Sequence, residues 1–141
     1  MKKITLFCFA LLLILDSSSS NAQANKKADA TITVSAKVEV YYFHFTRRCA
    51  TCLSVEENAK KAVESLYADK IKKGEYSFKA INLDEDSSKS IAEKLGIGGQ
   101  TLLVVSGDKK IDITDKGFMN AHDLEKMKEE IKKAVELALK G

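Results

Sequence analysis

Val38-Glu39-Val40-Tyr41-Tyr42-Phe43-His44-Phe45-Thr46-Arg47-Arg48-Cys49-Ala50-Thr51-Cys52 is the stretch on which the fold turns. Its first part, Val38 to Phe45, is rich in valine and aromatic side chains and predicts a strand. Three polar residues follow, and then two cysteines with two residues between them. From Cys52 onward Val55, Ala59, Ala62, Val63 and Leu66 recur at three- and four-residue spacing, one face of an amphipathic helix predicted to end near Lys73-Gly74. A strand therefore delivers a dithiol to the start of a helix.

Downstream the same alternation continues. Tyr76 to Leu83 predicts a strand, and Asp84 to Ser87 offers capping side chains for a short helix marked by Ile91, Ala92 and Leu95 and stopped at Gly96. Thr101 to Val105 is wholly apolar after its first residue and predicts a central strand. Ser106-Gly107-Asp108 is a turn, and Lys110 to Thr114 is the strand expected to pair across it. A last helix is expected from about Asn120, with Leu124, Met127, Ile131, Val135 and Ala138 on its buried face and Asn120 with Asp123 as a capping pair. The predicted order is β-α-β-α-β-β-α, an α/β fold with a mixed central sheet covered by helices on both faces. Gly96, Gly98 and Gly99 follow a helix and precede a strand, the reverse of a dinucleotide-binding context, so no nicotinamide cofactor is expected.

Upstream, Lys2 and Lys3 precede an apolar run from Ile4 to Leu15, a polar stretch and the small residues Ala22-Gln23-Ala24. That order predicts a secretory signal peptide over residues 1–24, cut after Ala22 or Ala24. The run is shorter than the roughly 20 residues a spanning helix needs, so no stable membrane anchor is expected after cleavage. Residues 25–36 read as a linker or an extra N-terminal strand (Thr31 to Ala36), and residues 37–141 as one domain. The expected location is outside the cytoplasm, periplasmic or extracellular. Cleavage removes Cys8 and leaves Cys49 and Cys52. The net charge of +3 comes from basic and acidic residues interleaved along the helices, which argues against a nucleic-acid partner.

The chemistry lies in the pair. Residues i and i+3 of a helix share a face, within disulfide reach. The first thiol meets the unpaired amides and positive end of the helix, which favour the thiolate, and Arg47 and Arg48 add positive charge beside it. A thiol of pKa about 8.5 is only about 3% ionised at pH 7, so a lowered value raises the nucleophile many-fold. Cys49 is the candidate attacking sulfur and Cys52 the resolving one. A purely structural bridge is the weaker reading, since so small a loop restrains little chain. So is zinc, which wants four ligands where only His44 and His122 stand beside the pair and the carboxylates; no metal ligands are assigned.

This element order with its Cys-x-x-Cys at a helix start resembles the thioredoxin superfamily over about Val38 to Lys140. Asn82-Leu83-Asp84-Glu85-Asp86, Ile91 to Ile97 and Thr101-Leu102-Leu103-Val104-Val105 are similar to further segments of that family. The resemblance implies a thioredoxin-like fold, a thiol- or disulfide-bearing redox partner protein, with a membrane electron donor as one candidate, and a substrate groove at Gln100 and Thr101. The departures are specific. Gln100 stands where the family carries a cis-proline, so a trans peptide and an altered groove are expected, because a non-proline cis bond costs about 2.5–4 kcal/mol. Phe43 replaces the family's buried acid, and Arg48-Cys49-Ala50-Thr51-Cys52 replaces its aromatic-Cys-Gly-Pro-Cys. Tyr41 to Cys52 also resembles a narrower group, small exported thioredoxin-like proteins described as a subunit of a nitrophenyl-arsenical nitroreductase. That implies reduction or handling of aromatic arsenicals. Two functions follow as expectations: an exported thiol–disulfide oxidoreductase or electron-relay subunit, and, as its rival, a module whose two thiolates capture a soft metal or arsenic(III).

Overall fold

A computed structural model describes residues 38–140. The predicted signal peptide and the strand considered at Thr31 to Ala36 lie outside the described residues. Those residues form an α/β unit of four strands and five helices: β1 (Val38–His44), α1 (Ala50–Leu66), α2 (Ala68–Lys72), β2 (Tyr76–Asn82), a 3-10 turn at Asp86–Ser88, α3 (Lys89–Leu95), β3 (Thr101–Ser106), β4 (Lys109–Asp112), α4 (Thr114–Met119) and α5 (Leu124–Leu139). No helix among them is long and apolar enough to cross a membrane.

The sheet is mixed, in the order β2-β1-β3-β4. β1 runs parallel to β2, Val38 opposite Tyr76 and His44 opposite Asn82, and antiparallel to β3, Phe43 opposite Thr101. The β3–β4 hairpin turns through Gly107, at φ +57°, a value that suits glycine. β1 is interior and covered on both faces, which explains why it reads as nearly continuous apolar sequence. Its alternation still sorts the side chains. Val38, Val40 and Tyr42 join Leu102 and Val104 of β3 against α1 and α5, in the larger core. Tyr41 and Phe43 join Leu103 and Val105 against Ala92 of α3, in a smaller cluster on the opposite face. Helices thus lie on both faces of the sheet.

Local departures from expectation have local causes. The helix expected to run unbroken to Lys73-Gly74 is two helices. Tyr67 leaves helical geometry at φ −131° and ψ 29°, and its ring packs 4.9 Å from that of Tyr76. Expected capping at the start of α3 is absent: Ser88, at its N-terminus, makes no side-chain cap, its hydroxyl instead donating to the Glu85 carbonyl. Gly96 does end that helix, in the left-handed region at φ +74°. β4 stops at Asp112, and Thr114, expected to be strand, opens α4. α5 starts at Leu124 rather than Asn120. Asp123 alone caps it, accepting from the Lys126 amide at 3.0 Å, while Asn120 closes α4.

Candidate functional site

Cys49 occupies the N-cap of α1 with extended backbone, φ −81° and ψ 165°. Its carbonyl accepts the first helical bond, from Leu53 N at 3.2 Å, and its Sγ accepts from Cys52 N, also at 3.2 Å. The sulfur thus stands where serine or aspartate usually caps a helix, and no acidic side chain occupies the first turn. A disulfide sulfur is a weak acceptor there. A thiolate would be a far better one, because it meets the exposed amides and the positive end of the helix dipole.

Cys49 and Cys52 are joined as a disulfide with their Cα atoms 5.1 Å apart. Cys49 is exposed and Cys52 is buried behind it. The approach to Cys49 is held from outside the helix: Thr46 N donates to the Asp84 carboxylate at 2.7 Å, and Asn82 Nδ2 donates to Thr46 Oγ1 at 2.9 Å. That amide bond, foremost, keeps the Asp84 carboxyl below its ordinary pKa.

The two arginines separate. Arg47 is exposed, whereas Arg48 is half-buried and its guanidinium donates to the carboxylate of Glu56. The same carboxylate lies 3.9 Å from Nε2 of His44, a buried residue whose Nδ1 stands 3.0 Å from the Phe45 carbonyl. Because a carbonyl only accepts, Nδ1 carries the proton there. The charge expected to act on Cys49 is therefore half of a closed ion pair. His44 is a packed residue with a polar role, and His122 is exposed at the turn before α5.

Behind Cys52 lies a chain of hydrogen bonds. The hydroxyl of Tyr42, fully buried, donates to the Cys52 carbonyl at 3.1 Å, and Gln100 Nε2 donates to that hydroxyl. Oε1 of Gln100 then stands 3.9 Å from Cys52 Sγ. No peptide bond among the described residues is cis. Thr101, paired with Gln100 in the expected groove, is buried and turns its hydroxyl to the Gly99 carbonyl at 2.9 Å. Burial, foremost, raises the Tyr42 phenol above its ordinary pKa, so it is a proton donor at neutral pH.

Tyr42 and Glu56 were not singled out from the sequence, although both left a signal. Glu56 is four residues beyond Cys52, on the same helical face. Tyr42 shares the parity of Val38 and Val40, the β1 side chains that face α1. Among the described residues no cluster of three or more His, Cys, Asp or Glu side chains is arranged to hold a metal.

No family model matches the chain, and no curated protein matches it. Among solved structures it is similar to one described as "Structure of a malarial protein", at 20% identity over 70% of this chain and 98% of that one, with a TM-score of 0.46.

Proposed function

We propose that this chain is an exported thiol–disulfide oxidoreductase of the thioredoxin-like kind, with Cys49 as nucleophile and Cys52 as resolving thiol. One observation carries the reading: an exposed sulfur caps a helix while its partner sulfur lies buried one turn behind, joined to it. The Cys49 thiolate attacks one sulfur of a partner disulfide, and the other leaves as thiolate. Cys52 then attacks Cys49 Sγ, the mixed disulfide breaks, and the electron pair departs on the partner sulfur that Cys49 had attacked. The partner gains two electrons and the Cys49–Cys52 bond forms. Arg48 and Glu56 lie beside the pair as a matched charge couple, and Asp84 with Asn82 holds the loop that presents Cys49. Export rests on the leader-like order of residues 1–24.

The test is a redox titration in glutathione buffers together with single-cysteine variants. A two-electron transition is expected, and Cys52→Ser should accumulate a mixed disulfide through Cys49 while Cys49→Ser does not. A bridge that exchanges with no disulfide substrate, or Cys52→Ser labelling no faster than a free thiol, overturns the assignment. If the reduced protein instead binds arsenite or copper(I) one to one with negligible exchange, the capture module is the better description.

A further inference from the structure

The proton inventory around Gln100 is closed, and it has a chemical consequence. Tyr42 has one hydroxyl proton, and the Cys52 carbonyl 3.1 Å away can only accept. Reversing that bond would set two oxygens face to face with no proton between them. The Tyr42 oxygen must therefore receive its second bond from a donor, and Gln100 supplies it with Nε2. This fixes the amide's orientation and turns its carbonyl, not its NH2, toward Cys52 Sγ at 3.9 Å. An oxidised sulfur has no hydrogen to offer. On reduction the same separation lies within the reach of an S–H···O bond.

We propose that Gln100, oriented by Tyr42, decides which sulfur of the reduced pair keeps its proton: its Oε1 accepts from the Cys52 thiol and leaves the thiolate to Cys49. The proposal rests on the oxidoreductase reading for its purpose, though not for its geometry. Until Cys49 has reacted, Cys52 stays a neutral thiol and does not compete. In the resolving step the Cys52 sulfur attacks Cys49 Sγ, and the thiolate leaving with the partner takes up the proton that Cys52 gives up. The charged groups nearby do not reverse this assignment. Arg48 and Glu56 neutralise each other, and His44 faces the same Glu56 carboxylate at 3.9 Å with Nδ1 bonded to the Phe45 carbonyl.

The decisive measurement is the pH dependence of Cys52 alkylation in the full chain carrying Cys49→Ser. Tyr42→Phe removes one oxygen, alters neither cysteine nor Gln100 itself, and frees the Gln100 amide to present its NH2 to a thiolate. It should lower the Cys52 midpoint by about 0.5–1 pH unit, the worth of one neutral hydrogen bond. The same change in a Gln100→Ala background should leave the midpoint where Gln100→Ala alone puts it. Gln100→Glu, a stronger acceptor, should raise it. An unmoved midpoint in Tyr42→Phe, or an equal shift with and without Gln100, overturns the proposal. Should Tyr42→Phe fail to fold, an unmoved or lowered midpoint in Gln100→Glu overturns it alone. Exchange measured on the two-cysteine protein separates the cases. Normal exchange with an insensitive Cys52 sinks only the role of Gln100, whereas absent exchange sinks the oxidoreductase reading.

Discussion

Arg48 precedes the first cysteine directly, yet its nearest charged partner is Glu56, two helical turns further on. Sequence adjacency suggests a cation acting on Cys49, whereas the folded arrangement is a couple whose halves cancel at a distance. The two readings predict different mutants. If the couple acts as a unit, Arg48→Ala strands the Glu56 carboxylate and raises the alkylation midpoint of Cys49. Glu56→Gln strands the guanidinium and lowers it. The double variant returns close to wild type. Each shift should be a few tenths of a pH unit at low ionic strength and should shrink in 0.5 M salt, because both side chains are partly exposed and screened. No change in either Arg48→Ala or Glu56→Gln alone would show that the helix end by itself sets reactivity. The residue types at the site were legible in sequence. Their pairing was not, because it depends on where helix α1 turns each side chain.

At the scale of elements, α4 is instructive. Thr114-Asp115-Lys116-Gly117-Phe118-Met119 reads poorly as a helix, since an internal glycine is roughly 1 kcal/mol worse than alanine. The glycine is there for space. A Cβ on Gly117 would lie 2.7 Å from Leu102 Cδ2 and 3.7 Å from Val55 Cγ1, between β3 and α1. Leu102 is fully buried, so its methyl has little room to yield. Gly117→Ala should therefore fail to give the stabilisation that an open helical position would give, and Gly117→Val should lose about 2 kcal/mol or more from overpacking. Gly96→Ala makes the contrast. Nothing stands within 4 Å of its Cβ, and its cost is the left-handed backbone, about 1–2 kcal/mol. Urea denaturation of the three variants checks the pattern. A Gly117→Ala protein clearly more stable than wild type would remove close packing as the reason for the glycine.

Across the whole molecule the two faces of the sheet are unequal. The face under α1 and α5 carries the larger core, with Tyr42, Leu102, Met127 and Ile131 fully buried, while α3 covers the other face with a small cluster around Ala92. Local opening follows where few apolar contacts must break. Native-state hydrogen exchange in rising denaturant should show residues 86–95 opening below the global transition, and α1, α5, β1 and β3 opening only with it. Equal protection of α3 and α5 would contradict this. The sequence by itself determined what is carried by short-range chemistry: the strand before the cysteines by its valines and aromatics, the helices by their apolar spacing, the end of α3 by Gly96, and the placing of a dithiol at a helix start. The tertiary structure alone decided the break at Tyr67, the helical state of Gly117, the pairing of Arg48 with Glu56, and the contact of Gln100 with Tyr42 and Cys52. The reason is physical. Periodicity and capping act over one or two turns, whereas Gln100 and Tyr42 are 58 residues apart and meet because β1 and β3 lie side by side. Packing then overrides local propensity wherever a buried methyl or a single hydroxyl proton has only one place to go.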